Sequence, residues 1–257
     1  MSVLTDSQRR VADRVLDEES RKRRHIVISL SGAHAYGFPS PDSDLDLKAI
    51  HLEPTTRLVS LSPPAPGVSR MEGIDGIEID YTSNEIQQAL LGILDGNGNY
   101  IERVLGAIPL RVALELEELR PIVRRALSRR VHRHYHGFAT GQFREFENAQ
   151  DAPAKRILYV LRTTLTGTHL LLTGDVVTDV TQLLDLYGFS QAHELVATKR
   201  AGERASLDLA AKDHWLKAVA RAFDVLDNAQ ARSVLPPEPT TRGEVEAWLI
   251  EQRRQSW

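Results

Sequence analysis

The chain contains no cysteine. Disulfide bonds, thiolate zinc sites and cysteine nucleophiles are therefore excluded, and His, Asp and Glu remain as candidate metal ligands. Long apolar runs are lacking too, because none reaches the roughly 18 residues that a membrane-spanning helix needs. The first residues, MSVLTDSQRRVADRVL, have no apolar segment of the kind found in secretory signals. We therefore expect a cytoplasmic protein with no membrane partner.

The chain also lacks a strong excess of charge of either sign. Its net charge of -3 gives no general attraction to nucleic acid, so a site for a polyanion must be a local patch. With 257 residues, 42% of them hydrophobic, the chain can bury the core of one large domain or of two modest ones.

Hydrophobic periodicity divides the chain into two parts. The first part predicts a helix over residues 5–24, capped by Thr5 or Asp6, and strands over 25–30, 45–52 and 76–83. A helix capped by Ser83 is expected at about 84–95, and the Pro-rich interval 61–73 is expected to be a loop. From about residue 111 the sequence is compatible with helices over 111–127, 130–149, 154–173, 178–187, 190–200, 206–230 and 241–255. We predict an α+β protein, with a mixed sheet and flanking helices in residues 1–108 followed by an α-helical domain in residues 109–257.

Two aspartates separated by one residue follow a small-residue turn in SGAHAYGFPSPDSDLDLKAI, residues 31–50. Residues i and i+2 of a strand point to the same face, so Asp44 and Asp46 can converge if a strand begins there. A third carboxylate, Asp80, shares a face with Glu78 on the later strand IEIDY. Mg2+ prefers oxygen ligands, and it is commonly held by one or two carboxylates together with substrate phosphates. The pattern predicts a site for Mg2+ or Mn2+, with two ions, at Asp44, Asp46 and Asp80.

The turn before the aspartates is suited to a phosphate group. Gly32 and Gly37 let the backbone approach a polyanion closely. A short helix starting after Gly32 would add free N–H groups that bind anions.

At these residues the chain resembles the DNA polymerase β-like nucleotidyltransferase superfamily, in which a Gly-Ser turn precedes D-x-D and a third Asp lies on a later strand. SGAHAYGFPSPDSDLDL is most similar to the YcgL-like family, which reads S-G-S-x-A-Y-G and then P-D-S-D-x-D, and which includes members associated with RNA ligases and RNA repair. The resemblance covers most of residues 28–175. It implies a small polymerase-β-like catalytic domain, a nucleoside triphosphate substrate and an RNA acceptor.

The resemblance assigns roles to individual residues. Asp44, Asp46 and Asp80 take the metal-ligand positions, and Asp80 is the base or metal-held activator of the acceptor hydroxyl. Gly32 takes the phosphate-turn position. The family's serine after that glycine is Ala33 here, which removes a hydroxyl expected to touch the triphosphate. The nucleotide-binding candidates in this region are Ser31, Gly32, Ala33 and Ser43.

A second family-like stretch, KRILYVLR, lies on the predicted helix 154–173. Lys155 and Arg162 are seven residues apart and so share a helix face, with Tyr159 between them. They are candidates to grip the triphosphate, while Tyr159 stacks on a base. Surface positions beside a core helix would explain the same pattern.

Positive charge is concentrated between Leu119 and Arg144, where the sequence has no Asp or Glu. Arg124, Arg129 and Arg133 in this segment are candidate RNA contacts, and a solvated helix face is the alternative. The RKRR run at residues 21–24 is interpreted as a helix C-terminus whose cations complement the helix dipole, with RNA contact as the alternative.

These patterns together predict a metal-dependent nucleotidyltransferase acting on an RNA end. One alternative keeps the chemistry and changes the acceptor to a protein or a small molecule. A second is a non-catalytic nucleotide- or RNA-binding protein, which the missing turn serine would fit. A third is a helical interaction protein with an incidental acidic turn.

Overall fold

The computed structural model describes residues 3–106, 108–147, 154–202 and 209–257, with the side chains of 209–212 left out. The predicted helical positions 148–149 and 206–208 therefore lie outside the described residues. In chain order the structure has α1 (Asp6–Lys22), β1 (Arg24–Leu30), α2 (Gly32–Ala35), β2 (Leu45–Leu52), α3 (Thr55–Leu58), β3 (Gly67–Ile74), β4 (Ile77–Glu85), α4 (Ile86–Leu94), α5 (Gly98–Ile101), a π-turn (Glu102–Gly106), β5 (Ile108–Val112), α6 (Glu115–Ala126), α7 (Val131–Glu147), α8 (Ala154–Thr173), α9 (Thr181–Leu184), a 3-10 turn (Ser190–Ala192), α10 (His193–Ala201), α11 (Leu209–Ala231) and α12 (Arg242–Gln255).

Two compact units make up the chain, and both are discontinuous in sequence. Unit 1 comprises Met1–His34, Asp44–Leu127 and Pro239–Trp257, and unit 2 comprises Ala35–Ser43 and Ser128–Glu238. The expected division was contiguous, at residue 108. The observed division differs in three ways: residues 109–127 belong to unit 1, the last helix, α12, also belongs to unit 1, and the short segment 35–43 belongs to unit 2.

Unit 1 is built on a five-stranded mixed sheet in the order β3-β4-β2-β1-β5. The strands β2 and β4 are parallel, whereas the other neighbouring pairs are antiparallel. Val11, Val15 and Leu16 of α1 pack in the core with apolar residues of β1, β2 and β4, as their spacing predicts. This is the α+β architecture expected from the sequence.

Helix α1 begins as predicted, and the capping alternatives are resolved in favour of Thr5. The Thr5 hydroxyl accepts from the Gln8 N–H, and the Gln8 side chain accepts from the Thr5 N–H, which forms a capping box. Asp6 is the first helical residue. The predicted cap of the helix near residue 84 was wrong, because Ser83 is still part of β4 and Glu85 caps α4 through the Gln87 N–H.

The sequence interpretation missed both edge strands of the sheet. Residues 67–73, expected in a loop, form most of β3, and residues 111–112, expected in a helix, end β5. Helices predicted over 178–187 and 190–200 are shorter or differently divided, since α9 has four residues and a 3-10 turn precedes α10.

Unit 2 is helical over the elements α7 to α11. Its core includes Tyr135 and Phe146 of α7, which are fully buried, together with most of α8, which is buried on all sides over residues 160–168. No helix in the described part of the chain is both long and apolar enough to cross a membrane.

Candidate active site

The parallel pair β2–β4 brings two predicted metal ligands side by side. Asp46 and Asp80 are direct partners in the register of these strands. The alternating side chains Leu45, Leu47, Ile79 and Tyr81 are buried in the core, so the two carboxylates point to the opposite face. The convergence predicted from D-x-D and the later strand is therefore present for Asp46 and Asp80.

A lysine that the sequence analysis left without a role lies between these carboxylates. The Lys48 ammonium is 2.7 Å from Asp80 Oδ2 and 3.6 Å from Asp46 Oδ1. Thr82 adds a hydroxyl that donates to Asp80 Oδ1 over 3.4 Å. The sequence could have revealed this position, because Lys48 is two residues after Asp46 on the same strand and must share its face.

The electrostatics of the site are concentrated on Asp46. Burial raises the pKa of the Asp46 carboxyl, and the negative charges of Asp80 and Asp44 raise it further, while the Lys48 ammonium opposes the shift. Asp44 itself is exposed, just before β2 begins. The site thus combines three negatively charged carboxylates with one positively charged lysine.

The turn at Gly32 fits closely around Asp46. Gly32 has φ +59°, and a Cβ atom placed on it would lie 1.8 Å from Asp46 Oδ2. The Ser31 N–H donates to the Asp46 carbonyl over 2.8 Å, which fixes the start of this turn against β2. Gly32 begins α2, as expected, and Ala33 is buried within it. Only glycine satisfies both the backbone angle and the space at this position.

As the side chains stand, no group of three His, Asp or Glu residues in the described ranges could hold a metal ion. The donor set nevertheless suits Mg2+, which is commonly held by one or two carboxylates and completed by substrate phosphates. Asp46 and Asp80 supply two such carboxylates, and the Lys48 ammonium shows that the space between them accepts a cation.

The other predicted nucleotide-binding residues belong to unit 2. Arg162 is only 3% exposed, and its guanidinium lies 3.6 Å from the centre of the Tyr36 ring. The Tyr159 ring packs edge-on against Tyr36 and Phe38, and the Lys155 ammonium lies 5.9 Å from the centre of the Tyr159 ring. These residues form one aromatic–cation cluster, and their role in triphosphate binding stays a prediction.

Ser43 is held by a lysine that the sequence analysis did not single out. The Lys199 ammonium, buried in unit 2, donates to Ser40 Oγ over 2.7 Å and to Ser43 Oγ over 3.5 Å. Arg200 donates to the Gly37 carbonyl over 2.6 Å. Helix α10 therefore anchors the segment 35–43 within unit 2, and no local sequence pattern reveals this contact across more than 150 residues.

The three arginines predicted to contact RNA differ in their surroundings. Arg129 stabilises the fold of unit 2, since its guanidinium donates to the carbonyls of Leu235 and Ser233. Arg124 is exposed on α6 of unit 1, and Arg133 is exposed on α7 of unit 2. The structure does not bring these three together in one unit, and their RNA contacts stay predictions.

A mixed sheet, a glycine turn and paired aspartates on adjacent parallel strands are the features of the polymerase-β-like nucleotidyltransferase superfamily. The chain belongs, more particularly, to the RNA repair pathway DNA polymerase beta family, RlaP, which it matches over residues 9–251.

The chain also resembles two individual proteins. The uncharacterized protein MJ0002 of Methanocaldococcus jannaschii is 26% identical over 168 residues, which are 63% of this chain and 67% of that protein. A crystal structure of a nucleotidyltransferase-like protein from Exiguobacterium sibiricum 255-15 is 12% identical, with a TM-score of 0.35, and the match covers 95% of this chain and 78% of that one.

Proposed function

We propose that the protein is a metal-dependent nucleotidyltransferase that transfers a nucleoside monophosphate from a nucleoside triphosphate to the 3′-hydroxyl of an RNA. Membership of an RNA repair family supports the RNA acceptor. The more specific resemblance of residues 31–47 to the YcgL-like family agrees with it. The observation that carries the chemistry is the in-register pair of Asp46 and Asp80 around one cation.

Asp46 and Asp80, with Asp44 beside them, would hold Mg2+ or Mn2+. When bound, the ions neutralise phosphate charge and favour departure of pyrophosphate. The raised pKa of Asp46 reflects its burial first, and then the negative charges of Asp80 and Asp44, which the Lys48 ammonium opposes. A divalent cation bound there would favour the ionised carboxylate.

The protein's own groups bind and orient the reactants. The backbone at Gly32 has no side chain, so a phosphate group can approach it closely. The acceptor oxygen forms a bond to the α-phosphorus as the bond to the bridging oxygen breaks, and pyrophosphate leaves with that electron pair. The hydroxyl proton passes to the Asp80 carboxylate. Catalysis of this kind rests on positioning and on charge stabilisation.

Ala33 changes how the triphosphate would be bound. The serine hydroxyl of the related families is missing at this position, so the main-chain N–H groups of the turn and the Ser31 side chain are candidate replacement donors in unit 1. We expect weaker triphosphate binding than a serine would give, with the metal-binding carboxylates unaffected.

The test combines α-labelled nucleoside triphosphates, with Mg2+, Mn2+ or EDTA, and RNA ending in either a 3′-hydroxyl or a 3′-phosphate. We expect label on the 3′-hydroxyl RNA alone, and only with a divalent ion. The Asp46→Asn variant should transfer no label. Asp75→Asn is the matched control, because Asp75 lies exposed in the β3–β4 turn at φ +51°, which asparagine tolerates.

The products also separate the alternative acceptors. Label on a protein or a small molecule and none on RNA would keep the transfer chemistry and reject the RNA acceptor. Full activity in Asp46→Asn, or the same loss in Asp75→Asn, would reject the proposed site.

A further inference from the structure

A second charged feature of unit 1 lies at the opposite end of β1 and β2 from the candidate active site. It is a pocket of about 660 Å³ where α1 passes into β1 and where β2 leads into α3. We call it the basic pocket. Five cationic residues line it: Arg21, Lys22, Arg23, Arg24 and Arg57.

Carboxylates offset only part of this positive charge. Glu53, which also lines the pocket, is buried and pairs with Arg57 over 2.9 Å. Glu19 pairs with Lys22 and Arg23, and Glu115 pairs with Arg24. Five cations therefore meet three carboxylates. Arg21 is exposed and has no ion-pair partner among the described residues.

An aromatic side chain stands beside these cations. Trp257 lines the basic pocket and is 76% exposed. The residue before it is held against α3, because the Thr55 N–H donates to the Ser256 carbonyl over 2.9 Å. The Thr55 hydroxyl also donates to the Arg253 carbonyl over 2.7 Å. An exposed indole next to several cations offers a stacking surface for one base of a nucleic acid, while the cations would bind the phosphates beside that base.

The basic pocket is separate from the aspartate site. Leu52 lines the pocket and lies six residues beyond Asp46 on the same strand, which corresponds to about 20 Å at a rise of about 3.3 Å per residue. A strand of stacked nucleotides rising about 3.4 Å each would need about six of them to cover that distance. An RNA that reaches both places must therefore be at least about six nucleotides long.

We propose that the basic pocket binds single-stranded RNA, with phosphates on its arginines and lysine and a base stacked on Trp257. The choice of RNA rests on the proposed function, whereas the pocket's chemistry stands on its own residues. The pocket holds a part of the RNA distant from the reacting end.

The test measures binding of a fluorescein-labelled 12-nucleotide single-stranded RNA by anisotropy, in EDTA and without nucleoside triphosphate, so that no transfer can occur. Trp257→Ala should weaken binding about tenfold, as expected for loss of one base stack, and Trp257→Phe should retain most of it. Arg21→Glu should weaken binding. The slope of log K against log salt concentration should become shallower by about 0.7 or more, which is the loss of one phosphate contact on a single strand.

Arg10→Glu is the matched control, because Arg10 is exposed on the same helix about 16 Å from Arg21. It should bind RNA as the unchanged protein does. Unchanged affinity in Trp257→Ala and Arg21→Glu, or an equal loss in Arg10→Glu, would overturn the proposal. Trp257 is exposed, so its variants test the pocket even if a charge reversal impairs folding.

The two proposals fail separately. If RNA is labelled normally and the pocket variants bind it as before, the pocket assignment is wrong and the nucleotidyltransferase assignment stands. If no label is transferred but RNA binding depends on Trp257 and Arg21, the reverse holds.

Discussion

Gly32→Ala is the substitution that most directly tests the geometry of the candidate active site. The new Cβ would lie 1.8 Å from Asp46 Oδ2, whereas ordinary contact begins at 3.4 Å, so the carboxylate must move by about 1.6 Å (3.4 minus 1.8). A misplacement of about 1 Å at a reacting centre can cost roughly 100-fold in rate. The backbone at φ +59° adds about 1–2 kcal/mol of destabilisation for any residue with a Cβ.

Gly76→Ala separates these two effects. Gly76 has φ +77° in the β3–β4 turn, and a Cβ there would meet no atom within 4 Å. Gly76→Ala should lose about 1–2 kcal/mol in urea unfolding, and Gly32→Ala should lose about 1–3 kcal/mol more because of the clash with Asp46. Only Gly32→Ala should lose transfer of labelled nucleotide, by about 100-fold or more, while Gly76→Ala stays within about twofold. Equal activity in the two variants would show that Gly32 does not position Asp46 for the reaction.

Two further predictions concern charge. Lys48→Met leaves the neighbouring carboxylates without their internal cation, so it should cost about 1 kcal/mol in EDTA, and Mg2+ should raise its melting temperature more than that of the unchanged protein. An equal effect of Mg2+ on both would contradict this. Burial lowers the pKa of His25 and of His51 from 6.5 to about 4, so the unfolded chain binds more protons between these values. The stability that depends on their neutral forms is present above pH 6.5 and is lost as the pH falls towards 4. At pH 5 the loss is on the order of 2 kcal/mol for each histidine. Urea unfolding at pH 7 and pH 5 should show a smaller decrease in His51→Gln than in the unchanged protein, and an equal decrease would refute the assignment.

The sequence predicts those elements of unit 1 whose residues alternate or repeat against the core. Strands β2 and β4 were recognisable because buried and half-buried positions alternate along most of β4 and along the first half of β2, and that same alternation places Asp46 and Asp80 on one face. Helix α1 was recognisable from its apolar spacing and its Thr5 cap.

Edge strands carry a weaker signal. Most of β3 is exposed or half-buried, and β5 contains Pro109, which a strand tolerates at the edge of a sheet. Because neither strand has one fully buried face, neither shows the alternation on which a prediction depends. Long-range partners are equally hidden, as the hydrogen bond from Lys199 to Ser40 shows.

The charge balance of the candidate site explains why a lysine belongs there. Burial raises the pKa of Asp46, and the negative charges of Asp80 and the nearby Asp44 add to this effect. Lys48 supplies one positive charge within 3.6 Å of both Asp46 and Asp80. One charge cannot balance three, so we expect the site to attract a further cation. We therefore expect Lys48 to stabilise the protein without metal, while the carboxylates keep the net negative charge that the proposed divalent ion would need.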